Sequence, residues 1–105
     1  MAARVALPTG GNPASTSCSI SFVVDGVTET PPEVLGWAVT ESTGSAAAKI
    51  RLHDGADASG PELAPLIVLA SGGESSEFVE QGIQLSSGKV WLEVVSGSVE
   101  ISVYW

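Results

Sequence analysis

Apolar side chains recur at every second position through much of this chain, and that rhythm constrains its fold more than any other feature. In KVWLEVVSGSVEISVYW, Val90, Leu92 and Val94 share one phase, and Val99, Ile101, Val103 and Trp105 share one after the turn at Ser96-Gly97-Ser98. A strand sends successive side chains to opposite faces, so each phase marks one buried face. The short turn predicts that the two segments pair as a hairpin. No stretch longer than a turn or two carries the 3.6-residue period of a helix.

The same texture runs upstream. Cys18, Ile20, Phe22 and Val24 share a face, and Asp25-Gly26 then suits a type I′ turn into a short return strand from Val27. Pro31-Pro32 breaks pairing. Leu35, Trp37 and Val39 mark the next strand, and Ile50 and Leu52 the one after. Residues 63–70 are nearly all apolar, which predicts burial on both faces or packing beneath another segment. Pro65 within them points to an edge position or a bulge. Weaker strands follow at 74–79 and 83–85. Seven or eight short strands separated by Gly, Pro, Asp and Ser clusters predict an all-β fold, an antiparallel β-sandwich or jelly roll. Residues 17–105 form its single domain. Residues 1–16, rich in Ala, Pro, Gly, Ser and Thr, read as an extended N-terminal arm with a short strand at 4–7.

Charge narrows the partners. Twelve Asp and Glu stand against four Lys and Arg, a net charge of −8. Nucleic acids and anionic membranes are bound through basic side chains, so neither is an expected partner. Cys18 is the single cysteine, which excludes an internal disulfide and a thiolate zinc cluster and fits a reducing compartment. The N-terminal residues lack the apolar run of a signal peptide, and the longest apolar run is far short of a membrane helix. A soluble protein made in the cytoplasm is the expectation.

Few residues suggest chemistry. In AAAKIRLHDG, Lys49, Arg51 and His53 alternate with Ile50 and Leu52. The apolar pair points inward and the three basic residues outward, as on any half-buried strand, or as a cationic stripe for an acidic neighbour. His53 and Asp54 are not a dyad, because successive strand residues face opposite ways. No nucleophile–base motif is present. GIQLSSGK has five residues between its glycines where a phosphate loop has four, and Val90 stands where that loop needs Ser or Thr. HDGADASGPE lacks the carboxylate spacing of a calcium loop. Neither a catalytic set, a metal nor a cofactor is expected.

Trp91 and Tyr104 lie out of phase with the buried residues around them. Both belong on the outer face of the terminal hairpin, where with Val95 they make an apolar patch. A subunit contact or a ligand platform follows from such a patch, and the subunit contact is preferred because sugar hydroxyls need acidic and amide groups. Val5 and Leu7 on the arm, with Lys49, Arg51, His53, Trp91, Val95 and Tyr104, make up the candidate interface.

The segments IRLHDG, LAPLIVLASGGES, GIQLSSG and LEVVSGSVEISVYW, spanning residues 45–105, resemble small β-sandwich virion structural proteins of tailed bacteriophages, of the capsid decoration or cement type. The likeness lies in strand-and-turn texture. It implies a non-enzymatic head decoration protein on the outer capsid surface of the virion, made in the host cytoplasm. Its partners would be the major capsid protein and other copies of itself, as a trimer or another homo-oligomer. A head–tail connector or tail component, or a carbohydrate-binding module, is the alternative.

Overall fold

Ten strands make up the computed structural model, which describes residues 4–105. They are β1 (Val5–Pro8), β2 (Cys18–Ser21), β3 (Val23–Val24), β4 (Val27–Thr28), β5 (Glu33–Glu41), β6 (Ala48–Asp54), β7 (Glu62–Leu69), β8 (Glu74–Gln84), β9 (Val90–Ser96) and β10 (Val99–Tyr104). Eight of them pair antiparallel in the order β7-β6-β9-β2-β1-β10-β5-β8, and β3 and β4 form a separate hairpin. The chain is all-β, as its alternation predicts. It wraps into a nearly closed sandwich of two four-stranded halves. One, the β6 half, is β7-β6-β9-β2; the other, the β5 half, is β1-β10-β5-β8. Pairing of Leu7 with Ser21 and Pro8 with Ile20 joins them.

The inward phases meet in one core. Trp37, Val39, Ile101 and Val103 come from the β5 half, and Ile50, Leu52, Val90 and Leu92 from the β6 half; all are buried. Each large aliphatic side chain removed from water contributes about 1.5–3 kcal/mol. Phe22 closes one end and meets Trp105 edge to face, with ring centroids 5.3 Å apart. Val34 is also buried although it is out of phase with Trp37. The register slips between Val34 and Gly36, and the extra residue turns both side chains inward.

Asp25 and Gly26 have φ of 50° and 80°, the paired positive values of a type I′ turn, as their sequence predicts. Pro65 lies in β7, at one end of the strand order, where the lost ladder hydrogen bond costs least.

Three expectations need correction. The last two strands do not pair with each other. β9 runs between β6 and β2, and β10 between β1 and β5, so the Gly97 turn is a corner between the halves. Alternation buries the same residues in either arrangement, which is why the pattern did not distinguish them.

The arm is the second. Its first three residues lie outside the described residues, but from Arg4 onward it belongs to the domain. β1 sits in mid-sheet with Ala6 and Pro8 buried and Val5 and Leu7 exposed. Ala14 bridges Val99, and the Asn12 amide accepts from Ile101 N–H and donates to its carbonyl, at 3.1 and 3.0 Å. Arg4 and Trp105 exchange two backbone hydrogen bonds of 2.9 Å each. Small inward residues let this segment pass close to its neighbours, and its backbone groups supply the attachment.

Third, the two weak strands expected at 74–79 and 83–85 are one strand, β8, with an irregular stretch between Phe78 and Ile83.

Candidate functional site

The outer surface of the β6 half carries a charged cluster. Arg51 pairs with Glu93 and His53 with Trp91 across β6 and β9, so all four side chains share the outward face. His53 points away from the core as its phase predicts, yet it is only 4% exposed. The loop 55–61 covers it. Its Nδ1 lies 2.9 Å from the Gly60 carbonyl oxygen and its Nε2 2.7 Å from Glu93 Oε1. The second Glu93 oxygen takes Arg51 Nη1 at 3.3 Å, and Arg51 Nε lies 3.5 Å from Glu62.

A carbonyl and a carboxylate can only accept, so both ring nitrogens of His53 must carry hydrogen for the two contacts to hold. Burial pulls the imidazole down, but the Glu93 hydrogen bond, the Gly60 carbonyl and the nearby carboxylates outweigh it, and the pKa rises above its ordinary value. The same bond to His53, aided by Arg51, holds Glu93 below the usual carboxylate range against a smaller effect of burial. With both nitrogens occupied, His53 has none free to take a proton from a nucleophile. The cluster staples a loop.

Asp54, next in sequence, turns the other way as expected and keeps separate company. It accepts from the backbone N–H and hydroxyl of Ser86, both at 2.8 Å, and from those of Ser87 at 3.3 and 2.8 Å. Burial raises its pKa, but these four donors outweigh it and leave the group lowered.

A third acid, Glu41, is buried at the end of β5. It accepts from Thr43 N–H (2.9 Å) and hydroxyl (2.7 Å), Gly44 N–H (2.7 Å) and Gly72 N–H (3.0 Å). The Thr43 and Gly72 amides foremost hold its pKa at about 2. Sequence reading missed Glu41 because one donor, Gly72, lies 31 positions away and the nearer ones, Thr43 and Gly44, depend on how the turn after β5 folds back. Among the described residues no group of three or more His, Cys, Asp or Glu is placed to hold a metal ion.

The remaining candidates divide between opposite faces. On the β5 half, Val5 faces Tyr104, Tyr104 faces Gly36, and Gly36 faces Phe78, a single row across four strands. Gly36 contributes no side chain, so Tyr104 and Phe78 meet above it with ring centroids 5.0 Å apart. A Cβ at Gly36, whose φ is 153°, would run into the Glu77 carbonyl oxygen. Phe78 remains 60% exposed, and Val5 in the row and Leu7 beside it are exposed too. Phe78 was missed, since it sits in the weakest strand pattern.

Lys49, Arg51, His53, Trp91 and Val95 belong to the β6 half, so Trp91 and Tyr104 are not neighbours. Val95 is the extra residue where the β6–β9 register slips, and it is exposed. Beside it on this face, Lys49 stands opposite Val68 of β7. Val68 is 60% exposed and Leu66 is exposed as well, so the apolar run 63–70 is neither buried on both faces nor covered by another segment. Trp91 is half-buried on the wall of a groove of about 380 Å³, with Ser19, Ser21, Thr28, Glu29 and Lys89 among its lining residues.

Compared with known proteins, the chain matches no family model, no curated protein and no solved structure.

Proposed function

We propose that this chain is a non-enzymatic structural protein of a tailed-bacteriophage particle, a head decoration subunit seated on the capsid lattice. The observation that carries the reading is apolar surface on two opposite faces of one small sandwich. Val5, Leu7, Tyr104 and Phe78 lie on one side and Leu66, Val68 and Val95 on the other. Contiguous exposed apolar surface marks contact with other proteins, and surface on both sides suits a subunit flanked by neighbours. The resemblance in residues 45–105 narrows the assembly to a virion. The projecting β3–β4 hairpin, with Val27 59% exposed, offers a further point of attachment to the shell. A large negative charge keeps such a subunit away from packaged DNA.

Purified protein added to expanded capsids of the encoding phage should co-sediment with them and raise the temperature at which they rupture, and Val27→Asp should weaken that binding. Failure to bind any capsid form would remove the reading, and a single ring of copies per particle would move the protein to the connector or tail. The groove beside Trp91 favours a second reading, carbohydrate binding, because an indole wall with hydroxyl, carboxylate and ammonium groups suits a sugar ring. Glycan-array binding lost on Trp91→Ala would establish it.

A further inference from the structure

The two apolar faces differ in charge, and the difference fits them to each other. On the β5 half, Glu100, Thr40 and Glu74 form one row, and Ser102, Ala38 and Ser76 the next. Val5, Tyr104 and Phe78 form the third. The acidic row lies four residues along the strands from the aromatic one, about 13 Å away. Between them Ala38, Thr40, Ser75 and Ser76 line a shallow trough. These rows hold two carboxylates and no cation.

The β6 half presents the converse. Val68, Leu66 and Val95 project from it, and Lys49 stands beside Val68. Arg51 is engaged by Glu62 and Glu93, whereas Lys49 has no carboxylate within 4.0 Å among the described residues.

We infer that copies of this chain associate head to tail, the β5 face of one against the β6 face of the next. Val68 enters the trough, Leu66 meets the Phe78–Tyr104 row, and Lys49 reaches the Glu74–Glu100 row. A face-to-face pairing of two β5 surfaces would set carboxylates against carboxylates or against aromatic rings, with no cation from either copy in these rows. The complementary pairing uses two different patches of the same chain, so it either closes into a ring or continues as a filament. This inference rests on the structural-protein reading and names the neighbour on both faces.

Two surface substitutions test it by sedimentation. Phe78→Ser removes the β5 contact and Val68→Ser the β6 contact. Both sites are well exposed, and a thermal melt near that of the parent checks each fold. The expected result is a parent protein that self-associates, less so as salt screens the charges, and two variants that are each monomeric alone. Mixed in equal amounts, the variants should form a one-to-one dimer that grows no further, because each keeps the face the other needs.

A parent that stays monomeric, a Val68→Ser protein that assembles like the parent, or a mixture that stays monomeric would overturn the inference. As a second measurement, Lys49→Glu should weaken assembly and Glu74→Lys with Glu100→Lys in the same chain should restore it; absence of rescue counts against the charge pairing. A monomeric parent that still coats capsids overturns head-to-tail association and leaves the decoration reading standing. An assembling parent that ignores capsids does the reverse.

Discussion

Glu93 holds His53 through a 2.7 Å contact between Oε1 and Nε2, on a ring whose other nitrogen faces the Gly60 carbonyl oxygen at 2.9 Å. The folded protein therefore binds the imidazole proton more tightly than the unfolded chain does. The stabilisation is complete below the ordinary value of 6.5 and is lost as pH rises through the folded value. Urea denaturation at pH 5.5 and 8.5 should show the parent losing stability between them, and His53→Gln should flatten that loss. At pH 5.5 the variant should be about 1–3 kcal/mol less stable, the cost of leaving buried acceptors unpaired. Equal pH slopes in the two proteins would refute the assignment.

Glu41 works in the opposite direction. Its folded pKa of about 2 lies below the unfolded value of 4.5, so its contribution is complete above pH 4.5 and disappears as pH falls toward 2. Glu41→Gln should lower the melting temperature at pH 7, because one amide oxygen cannot serve four donors. It should also make the acid limb shallower between pH 4.5 and 2. Tryptophan fluorescence during acid titration reads both effects.

Gly36→Ala is expected to destabilise by about 3 kcal/mol. The added methyl meets the Glu77 backbone, and β5 or β8 must shift to relieve it. Thermal unfolding measures the loss, and near-ultraviolet dichroism should report the altered Tyr104–Phe78 contact.

Asp54→Ala leaves the Ser86 and Ser87 amides without their acceptor. A loss of about 2 kcal/mol should follow. Hydrogen exchange at those two amides should quicken while the β5 and β10 amides keep their protection.

Side-chain direction was legible in the sequence because period-two alternation records it residue by residue. That pattern located the buried partners Leu52, Leu92, Ile101 and Val103, the Asp25-Gly26 turn and the edge character of the Pro65 strand. Strand partnership was not legible. Val90–Val94 and Val99–Val103 bury the same residues whether they pair with each other or sit in separate halves, so the Gly97 corner read as a hairpin. The roles of Glu41 and Glu93 were hidden for a related reason, since their partners are brought by topology from loops and strands 31 to 42 positions away or by turns. Phe78 was invisible because its value lies in the glycine that separates it from Tyr104 two strands away, and no local pattern encodes that gap.

Residues 4 and 105 exchange hydrogen bonds across the whole length of the chain. β1 finds one neighbour, β2, close by along the chain, but its other neighbour, β10, lies at the far end of the described residues. The β5 half is therefore completed only when both ends of that span are in place. The meeting of Arg4 and Trp105 also means that the backbone enters and leaves the described domain at one spot, beside the Val5–Tyr104 end of the aromatic row.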